Sequence, residues 1–212
     1  MQPSPKTIAA LKAAVFALAL VPLGELAAGA LFFPDWLGAN PGEFIDRATG
    51  RWTLRLLLIT LCVTPLRAIT GWNWLLRFRR MLGLFTFFYG VMHLSSYVTF
   101  RRVFDAEEIA RDIVERPFMT VGFAALVLMI PLAATSTNAM VRRVGARRWQ
   151  MLHRLVYLIA PLGVLHYWFM VKRDITQPAI YAAILAVLLG YRIVAGLAAA
   201  PSARKVSTGQ TV

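Results

Sequence analysis

Six apolar stretches, each near the ~20 residues a helix needs to cross a bilayer, take up most of this chain: residues 8–33, 53–68, 81–98, 118–134, 152–171 and 179–200. Of its 212 residues 58% are hydrophobic and 16% charged, too little polar surface to clothe a water-facing domain. The pattern specifies an all-α integral membrane protein, a six-transmembrane-helix bundle that forms one domain over residues 1–200, with a disordered cytoplasmic tail over 201–212. The connectors are short, so a dinucleotide-binding module of roughly 100–200 residues is expected on another protein.

Lys6 and Lys12 precede the first stretch, which ends in Ala27, Ala28, Gly29 and Ala30. That stretch outruns the ~7–15 apolar residues of a signal peptide and reads as a retained helix. Cys62, the one cysteine, lies inside an apolar stretch, which excludes disulfides and thiolate clusters.

The formal charge is +13, and its placement explains it. Fourteen basic residues, among them Arg67, Arg77, Arg79, Arg80, Arg142, Arg143, Arg147, Arg148, Arg154 and Arg192, fall at alternate helix ends that hold no acid. The other ends carry nine basic residues and nine of the ten acids, the tenth being Glu25 inside the first stretch. Short Lys/Arg-rich loops resist translocation, so both termini are expected to face the cytoplasm. No aromatic-interleaved basic domain accompanies the charge, which argues against nucleic acid. The run Arg142–Arg148 suits anionic lipid headgroups.

Between the stretches, residues 34–51 are rich in Pro, Gly and Asn and are expected to turn repeatedly. In residues 100–117 the spacing of Ala106, Ile109, Ala110, Ile113 and Val114 predicts a short helix lying on the outer surface. Pro117 suits the first position of the next helix.

His93, His153 and His166 are the only histidines, and all three lie inside apolar stretches, where an ionisable side chain is expensive and marks a functional site. His93 is eight residues from Arg101 and His166 six from Lys172, which places them roughly 12 and 9 Å below the outer boundary at ~1.5 Å per residue. At one depth on two helices they can face each other across one ligand, as a bis-histidine haem requires. Gly90 and Gly163, each three residues before one of this pair, and Gly83 would let a flat ring approach the backbone. Buried imidazoles bonding neighbouring helices, and glycines serving close packing, are the alternatives. His153 lies about 7 Å from the inner boundary, in another layer. In a straight helix it and His166 are about 220° apart, so Pro161 would have to kink the helix to bring both inward.

For haem propionates the outer ends supply Arg51, Arg55, Arg101 and Lys172, with Arg55, one turn inside the apolar stretch, preferred. Tyr97 and Tyr157, one turn beyond His93 and His153, are candidates for the shell around the cofactor, or for the interfacial aromatic belt, which suits Tyr97 better.

The segments ATGRWTLRLLLITLCVTPLRAITG (48–71), RRMLGLFTFFYGVMHLSSYV (79–98) and TSTNAMVRRVGARRWQMLHRLVYLIAPLGVLHYWFMVK (135–172) resemble the haem-binding membrane subunits of periplasmic protein-methionine-sulfoxide reductase systems, the MsrQ or YedZ type. That group is similar in turn to the membrane domain of ferric reductases and NADPH oxidases. The resemblance implies b-type haem and FMN, with electrons taken from the quinone pool or a cytoplasmic flavin reductase. They would pass to a periplasmic molybdopterin-containing catalytic subunit that repairs methionine sulfoxide in proteins. It further implies His93 and His166 as axial haem ligands and His153 as a further haem-associated residue. For the phosphate of the flavin so implied, Arg77, Arg79, Arg80, Arg147 and Arg148 are candidates, with Trp72, Trp74 or Trp149 for stacking. The relatives with two stacked haems use four histidines; here Arg79 and Arg80 stand where the fourth would be. The chain would then be a non-catalytic electron-transfer subunit. A small proton-coupled transporter using the histidines as a relay, a bare scaffold subunit and a stand-alone ferric reductase-like protein are the other readings.

Overall fold

The computed structural model describes residues 2–198. It consists of helices α1 (Pro5–Leu31), α2 (Pro41–Thr70), α3 (Arg79–Ser96), α4 (Ala106–Glu115), α5 (Pro117–Ala134), α6 (Asn138–Val144), α7 (Ala146–His153), α8 (Val156–Met170) and α9 (Thr176–Ala198), with no strand among the described residues. The expected tail, 201–212, lies outside the described residues.

Local sequence explains most boundaries. Ser4 caps α1 by accepting from the Thr7 N–H at 3.1 Å, and Asp105 caps α4 by accepting from Glu108 N–H at 3.0 Å. At α2, Asn40 accepts from the Glu43 N–H at 3.1 Å, Pro41 occupies the first turn, and Gly71 closes the helix with φ 73°. The capped start of α2 corrects the expectation of repeated turns over residues 34–51. Beyond a short 3₁₀ turn at Pro34–Leu37, the segment is the first three turns of α2.

Helix α2 is central to the bundle. One face sets Leu54, Leu57, Leu58 and Leu61 against Ala125 and Met129 of α5, Ile159, Ala160 and Val164 of α8, and Tyr181, Leu185 and Leu188 of α9. The other sets Leu56 and Val63 against Ala19 of α1 and Leu82, Phe85 and Tyr89 of α3. Tyr89 is fully buried. Its hydroxyl donates to the Ala19 carbonyl at 2.8 Å and accepts from the Leu23 N–H at 3.2 Å, the two groups a continuous helix pairs with each other, next to Pro22.

Large apolar side chains such as Leu18, Ile69, Val187 and Val194 are exposed, the inverse of a water-soluble surface. Five helical segments are long and apolar enough to cross a membrane: Pro5–Leu31, Pro41–Thr70, Asn73–Arg101, Pro117–Ala134 and Thr176–Leu197. The chain is thus a multi-pass membrane protein. The expected fifth stretch, 152–171, is interrupted. The helix tightens where Arg154 and Leu155 donate to carbonyls three residues back, so α7 ends at His153 and α8 holds 15 residues, about 22 Å of rise. The break therefore falls before Pro161, not at it.

Candidate functional site

His93 and His166 meet at the end of the bundle where the acids are concentrated. Their ring centroids are 6.0 Å apart and the ring planes cross at 70°. His93 comes from the last turn and a half of α3, His166 from the last turns of α8, and the long first half of α2 forms one wall of the site.

Each ring is held through the same nitrogen. Nδ1 of His93 is 2.9 Å from the Asp46 carbonyl, and Nδ1 of His166 is 2.7 Å from the Phe118 carbonyl. A carbonyl only accepts, so both imidazoles carry a proton on Nδ1, and in the neutral ring this leaves the lone pair on Nε2, as a metal bound there requires. Two metal–imidazole bonds of about 2 Å, with about 1 Å from each nitrogen to its ring centre, call for centroids about 6 Å apart, and the pair stands at 6.0 Å. Among the described residues no three His, Cys, Asp or Glu side chains converge, so a metal held here would have the two imidazoles as its protein donors. That set suits a metal whose remaining ligands come with it, as in a macrocycle.

Two glycines make the approach possible. A Cβ on Gly122 would stand 2.5 Å from Nδ1 of His166, and one on Gly50 would stand 3.1 Å from Cε1 of His93. Both lie outside the pattern of glycines one turn before each histidine. Of the expected ones, Gly90 faces Leu126 and Met129 of α5, Gly163 faces Leu54 and Leu57 of α2, and Gly83 has open space. Gly90 and Gly163 therefore serve helix packing.

A buried polar group behind His93 has no counterpart in the sequence reading. The Asp46 carboxylate places Oδ1 3.1 Å from His93 Nδ1, accepts from the Ser96 hydroxyl at 3.1 Å and pairs through Oδ2 with Arg101 Nε at 3.0 Å. It was hidden because residues 34–51 read as a loop. The signal was Asn40-Pro41 ahead of Glu43, a helix-start pattern.

Tyr97 belongs to a neighbouring cluster, not to the histidine shell or an interfacial belt. It is buried, and its hydroxyl donates to Asp112 of α4, which also pairs with Arg102 and, at 2.7 Å, with Arg116. The π-helical turn Tyr97–Arg101 at the end of α3 directs Arg101 to Asp46, and Arg102 just beyond it pairs with Asp112. The expected surface helix is α4, fastened by this cluster, with Val114 exposed.

The structure does not bring Arg51 and Arg55 to the histidine pair. They stand roughly 100° and 140° round α2 from Gly50. They line a cleft of about 440 Å³ with Glu25, Trp36 and Trp52 against α1, and Arg55 Nε donates to the Tyr181 hydroxyl at 3.1 Å. Arg101 reaches the surroundings of the pair through its ion pair with Asp46 at 3.0 Å.

His153 occupies a separate layer. Its ring stacks on Trp149 at 3.8 Å, its Nδ1 is 3.0 Å from the Trp149 carbonyl, and its buried Nε2 has no partner in hydrogen-bonding geometry, although the Leu132 carbonyl lies close enough to act on the ring. Tyr157, one turn on, lies under the Arg192 guanidinium at 5.4 Å. Of the basic-end arginines, Arg80 donates to Asn138, while Arg79 lies within the electrostatic reach of Arg67 and Arg192; Arg147 and Arg148 are exposed on α7.

Residues 49–164 match the family described as ferric reductase like transmembrane component. The matched segment holds His93, His153 and both glycines of the histidine walls. The chain is 55% identical over 193 residues to a protein of Herminiimonas arsenicoxydans named protein-methionine-sulfoxide reductase heme-binding subunit MsrQ, covering 90% of this chain and 88% of that one. A protein of the same name from Ralstonia nicotianae is 58% identical over 191 residues, 89% of this chain and 87% of its own. The chain belongs to the MsrQ family. In a third MsrQ, from Rhodospirillum rubrum, the identity is 50% over 197 residues, 93% of this chain and 91% of the relative. The MsrQ likeness therefore runs well beyond the ferric reductase core to nearly the whole chain, including most of α1 and α9.

Proposed function

We propose that this chain is the electron-transfer subunit of a protein-methionine-sulfoxide reductase system, holding b-type haem between His93 and His166. The observation that carries this reading is the pair itself: two imidazoles 6.0 Å apart, both with Nδ1 fixed on backbone carbonyls. The heme-binding name shared by the MsrQ relatives supports it. Bound there, the group supplies one-electron chemistry near one end of the bundle. The protein's part is to present two Nε2 lone pairs and to hold both rings against rotation through their Nδ1 bonds.

In this reading the bundle makes six passes across the bacterial inner membrane, α7–α8 supplying the fifth across its break, with the basic end and both termini facing the cytoplasm. The histidine pair then lies toward the periplasm, where a molybdopterin-containing catalytic subunit accepts the electrons and reduces methionine sulfoxide in proteins. The donor is the quinone pool or a cytoplasmic flavin reductase. FMN would be held at the basic end, with Arg79, Arg80, Arg147 and Arg148 as phosphate partners. His153, with its buried lone nitrogen, is a further haem-associated residue.

The test is the visible spectrum of the purified protein, oxidised and dithionite-reduced, with haem and flavin extracted and counted. A low-spin b-type spectrum lost in His93→Ala and in His166→Ala is the expected result. Protein that remains colourless after expression with added haem precursor would refute the reading and favour a histidine relay for protons.

A further inference from the structure

The two histidines are held differently, and the difference is chemical. Nδ1 of His166 meets one neutral acceptor, the Phe118 carbonyl at 2.7 Å. Nδ1 of His93 meets two acceptors of the same residue, the Asp46 carbonyl at 2.9 Å and the Asp46 carboxylate at 3.1 Å. That carboxylate is itself fixed from two further sides, by the Ser96 hydroxyl at 3.1 Å and Arg101 Nε at 3.0 Å, and Asp46 is 5% exposed. Ser96 also donates to the His93 carbonyl at 2.8 Å, one turn before the π-helical segment that carries Arg101. A buried carboxylate with three polar partners on another helix is too costly to be incidental packing.

We propose that Asp46 is the positioning residue of this site: it fixes the plane of the His93 ring, and its charge makes His93 the stronger donor of the pair. The inference rests on His93 being an iron ligand. A carboxylate on the far nitrogen of a ligating imidazole orients the ring and raises its basicity, which favours the more highly charged state of the metal. Arg101 holds the charge in place and partly offsets it. His166 lacks such a partner, so the pair is electronically asymmetric. The midpoint potential is thereby set from the α2 side, by a residue that touches no cofactor atom.

The measurement is the midpoint potential and low-temperature electron paramagnetic resonance spectrum of the haem-loaded protein, for the wild type and for Asp46→Asn, Asp46→Ala and Glu43→Gln. Asp46→Asn keeps the size and the acceptor oxygen and removes the charge. Its expected effect is a rise in potential equal to about a tenfold shift of the oxidised-to-reduced balance, about 59 mV for one electron. Asp46→Ala also frees the ring, so its g values should broaden or move as the angle between the imidazole planes becomes heterogeneous. Glu43 lies one turn earlier on α2, paired with Arg47, and its neutralisation should move neither quantity. Unchanged potentials in both Asp46 variants, or a Glu43→Gln shift as large as that of Asp46→Asn, would overturn the proposal. Should Asp46→Asn bind too little haem to titrate, Ser96→Ala removes one anchor of the carboxylate and must shift the g values for the proposal to stand. Absence of haem from the wild-type protein would instead count against the function proposed above.

Discussion

Gly122 of α5 lies so close to His166 of α8 that a Cβ at this position would stand 2.5 Å from Nδ1 of the ring and 2.8 Å from Cε1. The ring cannot retreat, because its Nδ1 bond to the Phe118 carbonyl fixes it to the same helix one turn away. Gly122→Ala is therefore expected to displace His166, lowering haem per chain and costing about 1–3 kcal/mol through overpacking. Gly83→Ala, where no atom lies within 4 Å, is expected to be neutral or slightly stabilising. Haem content and thermal unfolding of the two variants in one detergent check both.

The Asp112 cluster fastens α4 to the end of α3. Burial raises the Asp112 carboxyl pKa, but hydrogen bonds from Tyr97 and Arg102 and the charges of Arg102 and Arg116 outweigh it and hold it below its ordinary value. The same contacts push the Arg102 guanidinium further up. A lowered carboxyl pKa gives stability that is complete above the ordinary value of about 4 and is lost as pH falls through the lower folded value. Protection of the α4 amides from hydrogen exchange should thus be flat from pH 5 to 8 and fail only below about pH 4. Asp112→Ala, leaving Tyr97 and Arg102 without their partner, should remove about 1–2 kcal/mol of that protection at neutral pH.

Arg55 and Tyr181 join α2 to α9 on the flank turned from the histidines. Tyr181→Phe should cost about 1 kcal/mol, one hydrogen bond, and leave the haem spectrum unchanged. Arg55→Ala should behave likewise with respect to haem. A loss of haem in Arg55→Ala at unchanged thermal stability would instead restore Arg55 as a propionate partner, and pyridine-haemochrome titration of the variant decides this.

His153 keeps one buried nitrogen, Nε2, without a partner in hydrogen-bonding geometry, beside the Leu132 carbonyl. His153→Phe keeps the stack on Trp149 and removes that nitrogen. Its expected signature is a fold at least as stable as the wild type before haem is added, with fewer haems per chain. Calorimetry of the haem-free protein and extraction of the loaded one give the two readouts.

Much of this molecule was legible from local patterns. Hydropathy located the apolar helices to within a few residues at α3, α5 and α9, because burial in lipid demands apolar side chains all round a helix. Equal depth of His93 and His166 followed from the rise per residue, since both are counted from charges at the same end. The first three turns of α2 were missed because their composition, rich in Pro, Gly, Asn and acids, is that of a loop. The interruption at Arg154–Leu155 is not legible in the sequence, since no breaker stands there and Pro161 lies downstream of it.

By itself, then, the sequence determined an all-helical multi-pass chain, the end of the bundle where two histidines lie level, and through its motifs the family. Those properties depend on composition, periodicity and axial counting. Tertiary structure alone decided which groups surround the histidines: Asp46 and Gly50 from α2, Gly122 and the Phe118 carbonyl from α5, and Arg101 from a widened turn. It also turned Arg51 and Arg55 away from them. The reason is rotational: a shift of one residue leaves depth nearly unchanged but moves a side chain by about 100° round its helix, and only packing fixes that angle.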